Sequence, residues 1–139
     1  MNHSVLKKEA RKFFKSHTVI NCPAFRGEKI FLNAKGLNHL LYKGSRSGRD
    51  INQIRVRVAL LDRAIRILST MPYFQEERVL EINGTVVRYW SFEAVVEEKR
   101  LKVIVRQVGN GSKHFWSLVP SWTRINNKRI NTKSKLEDY

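Results

Sequence analysis

The strongest constraint on the fold is a change in the hydrophobic pattern at residue 78. From there, apolar and polar residues alternate in runs that include VLEI, TVVRYWSFEAVV, LKVIVRQV and KHFWSLV. Asn83-Gly84 joins the first two runs, and this dipeptide is typical of a type I′ turn, which needs positive φ at both positions. EEKR and GNGS join the later runs. The pattern predicts an antiparallel meander of three or four strands.

The residues before the meander show mainly helical spacing. SVLKKEARKFFKS, residues 4–16, and the apolar stripe of residues 51–70 each predict a helix, and Pro72 ends the second one. Between them, GEKIFLN suits a short strand. AKGLNHLLYKG suits a short helix that Asn33 caps and Gly44 ends. This order predicts an α+β fold with N-terminal helices packed on the meander.

The length of 139 residues corresponds to one domain with a hydrophobic core. We expect a basic helix and lead-in over residues 1–24, the main domain over 25–122 and a basic arm over 123–139. Cys22 is the only cysteine, which fits a reducing compartment and predicts a cytoplasmic protein. Nowhere do 18 apolar residues run consecutively, so we expect no membrane span.

The charge is the feature that bears most directly on function. Lys and Arg number 27 against 12 Asp and Glu, which gives a formal net charge of +15. Such an excess predicts a polyanionic partner. Nucleic acid is the first expectation, an anionic membrane surface the second and an acidic protein the third.

The sequence lacks the residues that several kinds of metal and phosphate-binding site require. Cys and His do not have zinc-ligand spacing, carboxylates do not form a pair or cluster, and the GNGSK segment lacks the order of a phosphate-binding loop. We therefore expect no metal and no cofactor. A metal-free route to RNA cleavage remains. It needs groups that move protons, which histidine can supply near neutral pH, and cations that stabilise a phosphate.

Two groups of residues suit that chemistry. One lies on the exposed face of the short helix, and it comprises Lys35, His39, Tyr42 and Lys43. The other lies on the last two strands, and it comprises Arg106, Lys113, His114, Trp116 and Ser117. If Asn110-Gly111 is a two-residue turn, Arg106 pairs with Phe115. Arg106, Lys113 and Ser117 then share one face of the sheet, and His114 and Trp116 share the other. A bulge at either glycine would change this register.

GLNHL on the short helix and KHFWSLVP on the closing strand resemble motifs of the BECR superfamily. That group is named after barnase, EndoU, the colicin-type tRNases and the RelE-like toxins. The similarity covers residues 25–122 and is greatest to the phage and bacterial toxin branch. One departure is that Lys43 stands where some members of that branch have a second helix histidine.

The resemblance implies a toxin that acts as a metal-independent endoribonuclease. His39 would be the base or the acid, Arg106 would bind the scissile phosphate, and Lys113 or His114 would assist it. Ser117 would hydrogen-bond the substrate. We further expect RNA to contact a set of basic and aromatic residues: Lys35, Tyr42, Lys43, Arg46, Arg49, Arg88 and Trp116. The RNA would be tRNA, mRNA or ribosome-associated RNA. An acidic antitoxin or immunity protein would be the inhibitory partner.

Two other interpretations of the sequence stay open. The first is a nucleic-acid-binding module on the same scaffold without catalysis. Its C-terminal tail, its first helix and the loop 43–49 would bind, and the histidines would be structural. The second is a protein that docks on a membrane surface through its first helix.

Overall fold

The computed structural model describes residues 2–43, 47–48, 50–120, 123–124 and 128–129. For Lys43 and for 47–48, 123–124 and 128–129 it describes the backbone only. Four helices are present in this part of the chain: α1 (His3–Ser16), α2 (Ala34–Leu41), α3 (Ile51–Ala59) and α4 (Leu61–Thr70). A single 3-10 turn spans Pro23–Phe25. The predicted cap of the short helix is confirmed, because the Asn33 side chain accepts a hydrogen bond from the Lys35 N–H.

The prediction of one helix over residues 51–70 is wrong. The helix breaks at Leu60, whose N–H donates to the carbonyls of Arg57 and Val58 instead of continuing the regular pattern. Leu60 and Leu61 are consecutive and both buried. The break lets α3 pack on α1 and β8 while α4 packs on β1, β6 and β7.

The strands are β1 (Val19–Cys22), β2 (Glu28–Phe31), β3 (Tyr42–Lys43), β4 (Ser47–Gly48), β5 (Glu76–Ile82), β6 (Thr85–Val96), β7 (Lys99–Val108), β8 (Lys113–Pro120), β9 (Thr123–Arg124) and β10 (Lys128–Arg129). Six of them form one sheet in the order β1-β2-β8-β7-β6-β5. Strands β5 to β8 are antiparallel neighbours. β2 pairs with β8 in parallel, and β1 pairs with β2 in antiparallel orientation.

The α+β class is therefore confirmed, but the predicted sheet of three or four antiparallel strands is too small. Residues 28–31 form the expected short strand, and it joins the edge of the meander instead of standing apart. Residues 19–22 were not predicted as a strand. The structure has a six-stranded mixed sheet.

A separate hydrophobic cluster lies on each face of the sheet. The larger cluster lies between the sheet and the helices and includes Leu6, Phe14, Ile54, Leu68 and Phe115. Since α1 and β1 contribute to it, these two elements belong to the same core as the rest of the described chain. The smaller cluster lies on the second face, the side of the sheet away from the helices. It is formed by Val87, Tyr89, Ile104 and Val119, with Leu80, Val108 and Trp116 packed against it.

A bulge in β8 sets which residues reach each face. Val105 pairs with Phe115, whereas the preceding Ile104 pairs with Ser117, so Trp116 is an extra residue without a partner in β7. Arg106 pairs with His114. The expected pairing of Arg106 with Phe115 is therefore wrong.

Candidate functional site

Trp116 is the centre of a cluster of cationic and titratable side chains. The imidazole of His39 stacks on its ring with a centroid distance of 4.0 Å and an interplanar angle of 15°. The guanidinium carbon of Arg106 lies over the ring at 3.6 Å from the centroid. His114 approaches edge-on at 6.1 Å. The fold thus brings the predicted helix histidine together with predicted residues of both closing strands.

Gly36 allows α2 to bring His39 to this position. A Cβ at Gly36 would collide with the carbonyl oxygen of Phe115, the residue just before the bulged Trp116. The helix backbone therefore lies directly on β8, and His39 is one turn further along α2. Any larger side chain at position 36 would push the helix away from the strand.

Arg106 and His114 are joined by a hydrogen bond. The Nε–H of Arg106 donates to Nε2 of His114 over 3.1 Å. Because Nε2 accepts, the neutral imidazole carries its proton on Nδ1. His114 is only 2% exposed. Burial, and next the positive charge of Arg106, lower the pKa of His114 to about 4. At neutral pH His114 is therefore an uncharged acceptor and not a proton donor.

The guanidinium of Arg106 is partly buried without a carboxylate partner among the described residues. Burial lowers its pKa, and a hydrogen bond with Tyr89 opposes that effect. Tyr89 is the residue paired with Arg106 across β6 and β7. Arginine keeps its proton in proteins, so this is a positive charge held by a neutral imidazole, a tyrosine hydroxyl and an indole ring. Such a charge favours an anion at the same place.

A further cation adds to the positive potential around His114. Lys35 is exposed at the start of α2, and its charge contributes to the lowered pKa of His114. The cluster of Lys35, His39, Arg106, His114 and Trp116, which we call the Trp116 site, can therefore bind a phosphate and includes a partly exposed imidazole beside it.

Lys113 is not part of the Trp116 site. It precedes His114, so it points to the helix side of the sheet, where its Nζ lies over the rings of Phe25 and Trp90 at 5.0 and 5.1 Å. The same Nζ donates to Oε1 of Glu28 over 2.8 Å. The expectation that Lys113 shares a face with Arg106 is therefore wrong, and the bulge is the reason. Arg106 and His114 were expected on opposite faces and share one.

The other predicted residues have varied surroundings. Ser117 is buried, pairs with Ile104 across β7 and β8, and lies on the same face of the sheet as Arg106. Arg88 points to the opposite face from its neighbour Tyr89, and its Nη1 lies 3.7 Å from Oε2 of Glu77. Tyr42 follows the end of α2 and lies beneath Nζ of Lys7 at 4.8 Å, so it turns to α1 rather than to the Trp116 site.

Three predicted RNA contacts cannot be located. Arg46 and Arg49 lie outside the described residues, and the Lys43 side chain does too. The predicted basic arm, 123–139, is described only at the backbone of its two short strands.

Two residues that were not predicted as site residues support the site, Tyr89 and Gly36. The register that sets Tyr89 opposite Arg106 depends on the turn between β6 and β7, where Glu97 and Glu98 both have positive φ. Glutamate is not a usual residue at positive φ, so a two-residue turn at this place could not be predicted from the residue types. Gly36 had a weaker signal, a glycine within a short helix next to apolar positions.

Comparison with protein-family models, curated proteins and solved structures found no match to this chain. Among the described residues, His, Cys, Asp and Glu side chains form no group of three that could hold a metal ion. The described helices also include none with the length and apolar character required to cross a bilayer.

Proposed function

We propose that the protein is a metal-independent endoribonuclease of the toxin type, with its active centre at the Trp116 site. The observation that supports this most strongly is the partly buried guanidinium of Arg106. Its partners are His114 and Tyr89, and no carboxylate among the described residues pairs with it. A desolvated cation of this kind gains most from a bound phosphate. The net charge of +15 supports an RNA substrate.

In the proposed reaction the 2′-oxygen of a ribose attacks the adjacent phosphorus. A bond forms between these atoms while the bond from phosphorus to the 5′-oxygen breaks. The 2′-proton passes to a base and the 5′-oxygen takes up a proton, so the products end in a 2′,3′-cyclic phosphate and a 5′-hydroxyl. The step needs no metal, because cations stabilise the charge that develops on the phosphate oxygens.

The surroundings of each residue suggest its role. Arg106 binds the phosphate through its terminal amino groups, because His114 already accepts from Nε. His39, the partly exposed imidazole, transfers a proton. His114 is a positioning residue that fixes the guanidinium, since its low pKa keeps it neutral. Lys35 adds positive charge, and Lys113 has no part in the reaction because it faces Glu28.

A toxin of this type acts on RNA in the cytoplasm and needs an inhibitor in the cell that makes it. The buried free thiol of Cys22 is compatible with a reducing compartment. An acidic antitoxin or immunity protein would cover the Trp116 site by matching its positive charge.

The test compares Arg106→Ala with Arg100→Ala, which removes the same charge from an exposed position on the same strand. Each protein is incubated with total RNA in excess EDTA. We expect wild type and Arg100→Ala to produce fragments with 2′,3′-cyclic ends, and Arg106→Ala to be slower by about 10²- to 10³-fold. Equal rates for both variants would contradict the assignment of Arg106.

His39 has its own control in His17, which stacks on Phe13 with a centroid distance of 4.1 Å in the manner of His39 on Trp116. Loss of cleavage in His39→Ala but not in His17→Ala supports proton transfer by His39. RNA that stays intact with wild type and yet shifts on a gel would favour the binding module instead.

A further inference from the structure

Helix α1 carries a row of cations on its outer side. Lys8, Arg11, Lys12 and Lys15 are spaced at i, i+3, i+4 and i+7, so they lie along one face of the helix, and all four are exposed. The opposite face holds Leu6, Ala10 and Phe14, which are buried in the core. We call the four residues the α1 stripe.

The α1 stripe differs from the cations of α4 in its ion pairing within the described part of the chain. On α4, Arg66 donates to Oε1 of Glu97 over 2.9 Å and Arg63 lies 3.6 Å from the same atom. Among the described residues, none of the four α1 cations forms an ion pair with a carboxylate. Like charges at i, i+3 and i, i+4 destabilise a helix by about 0.2–0.5 kcal/mol per pair, so the stripe carries a repulsion that a polyanion would relieve.

We infer that the α1 stripe binds the phosphate backbone of a nucleic acid at a position separate from the Trp116 site. With a rise of about 1.5 Å per residue, the stripe extends for roughly 10 Å along the helix. A single strand carries one charge per about 3.4 Å of its length, so the stripe can meet about three phosphates. Lys7, over the ring of Tyr42, connects α1 with the end of α2, the helix that carries Lys35 and His39.

A membrane surface fits this helix less well. Interfacial helices insert an apolar face into the lipid, but Leu6 and Phe14 of α1 are buried in the protein core. Phe13 is partly buried, and Val5 is 42% exposed. One exposed valine does not make an apolar face.

A protein partner also fits less well. Protein interfaces are depleted in lysine and depend on buried aromatic or arginine anchors. The α1 stripe has three lysines and one arginine on long, exposed side chains. Lysine is a common contact for phosphate, where a mobile point charge is sufficient.

The test uses two triple variants of the full chain that lose the same residue types. Lys8→Gln, Arg11→Gln and Lys12→Gln change the stripe, and glutamine keeps the helix propensity. Lys29→Gln, Lys99→Gln and Arg100→Gln remove two lysines and one arginine from exposed positions on β2 and β7. Circular dichroism and the unfolding midpoint confirm that both variants remain folded.

Binding is measured by anisotropy between 50 and 300 mM NaCl with a fluorescein-labelled single-stranded RNA. Its riboses carry 2′-O-methyl groups, so the proposed reaction cannot cleave it. The logarithm of the association constant falls linearly with the logarithm of the salt concentration. Loss of three phosphate contacts should make this slope less steep by about 2, whereas the control variant should keep the wild-type slope. At 100 mM NaCl we expect the stripe variant to bind at least about 10-fold more weakly.

Equal slopes in the two variants would overturn the inference, because net charge alone would then explain the binding. So would wild-type protein that does not bind RNA, or a stripe variant that loses only its binding to vesicles containing phosphatidylserine. Cleavage separates this inference from the proposed function: the stripe variant should raise KM and leave kcat unchanged. Binding that depends on the stripe in a protein that cleaves nothing would refute the nuclease and keep the inference.

Discussion

Arg106 and Lys113 are two cations on neighbouring strands that differ in how their charges are balanced. Each lies over aromatic rings, Arg106 over Trp116 at 3.6 Å and Lys113 over Phe25 and Trp90 at 5.0 and 5.1 Å. Lys113 also has a carboxylate, Glu28, at 2.8 Å. Arg106 has instead a neutral imidazole as its hydrogen-bond partner.

The difference separates a structural cation from one that is available to a ligand. A carboxylate neutralises Lys113, so this pair helps hold β2 beside β8 and leaves little reason for an anion to enter. His114 orients the guanidinium of Arg106 but leaves its positive charge intact. The orientation and the remaining charge together are what a phosphate site requires.

The largest effect expected from this comparison is on cleavage. Arg106→Lys keeps the charge but loses the planar fork that contacts His114 and a phosphate together, so kcat/KM should fall about 10²-fold. Lys113→Arg keeps a cation beside Glu28 and should cleave at the wild-type rate. The rates are measured with a short RNA in EDTA. A slower Lys113→Arg with an unaffected Arg106→Lys would reverse the roles that we give to the two cations.

The next effect is on the pH dependence of stability. The pKa of His114 is about 4 in the folded protein and about 6.5 in the unfolded chain. Between these pH values the unfolded chain binds the extra proton, so stability falls as the pH drops through this window. From pH 7 to pH 5 the loss from His114 should be about 2 kcal/mol.

Denaturant unfolding of wild type and His114→Gln at both pH values measures this loss. The variant should lose about 2 kcal/mol less than wild type over the same interval. Other titrating groups are common to both proteins and cancel in the comparison. Identical losses would mean that His114 does not stay neutral against Arg106.

The smallest effect concerns helix α2, which places His39 beside Arg106 and Trp116 but does not contribute to the ion pair of Lys113. Gly36→Ala should destabilise the fold by about 1 kcal/mol, because the clash of the new Cβ with the Phe115 carbonyl outweighs the higher helix propensity of alanine. It should also slow cleavage by moving His39 from Trp116, while the ion pair of Lys113 and Glu28 stays. Asn38→Ala, at an exposed position of the same helix, is the control. A Gly36→Ala protein as stable as wild type would show that α2 has room to shift.

Local patterns predicted much of the fold. The Asn83-Gly84 turn forms, and both residues have positive φ as the dipeptide requires. The cap at Asn33 and the long alternating runs also became the expected elements. These features depend on residues close together in the chain. The break at Leu60 did not follow from them, because an apolar stripe at heptad spacing does not reveal that its two halves pack on different strands.

The candidate site could be predicted only in its residue types. His39, Arg106, His114 and Trp116 were all singled out, but their arrangement depends on a single bulged residue in β8. Without the bulge, the alternation of side chains along β8 would place His114 on the opposite face of the sheet from Arg106. Neither the bulge nor the turn at Glu97 and Glu98 has a glycine or asparagine at the residues concerned, so the sequence carried no sign of the register.

The packing of α2 on β8 joins two elements that lie far apart in the chain, and this determines when the site forms during synthesis. His39 comes from the first third of the chain, and Arg106 and Trp116 come from the last third. On a ribosome that adds about 5–20 residues per second, α2 emerges seconds before the strand on which it must pack. Until β8 has emerged, Arg106 lacks the imidazole and the indole that hold it. A nascent chain therefore carries most of its positive charge without a formed site, and the proposed cleavage activity begins only once translation has passed the last strand of the sheet.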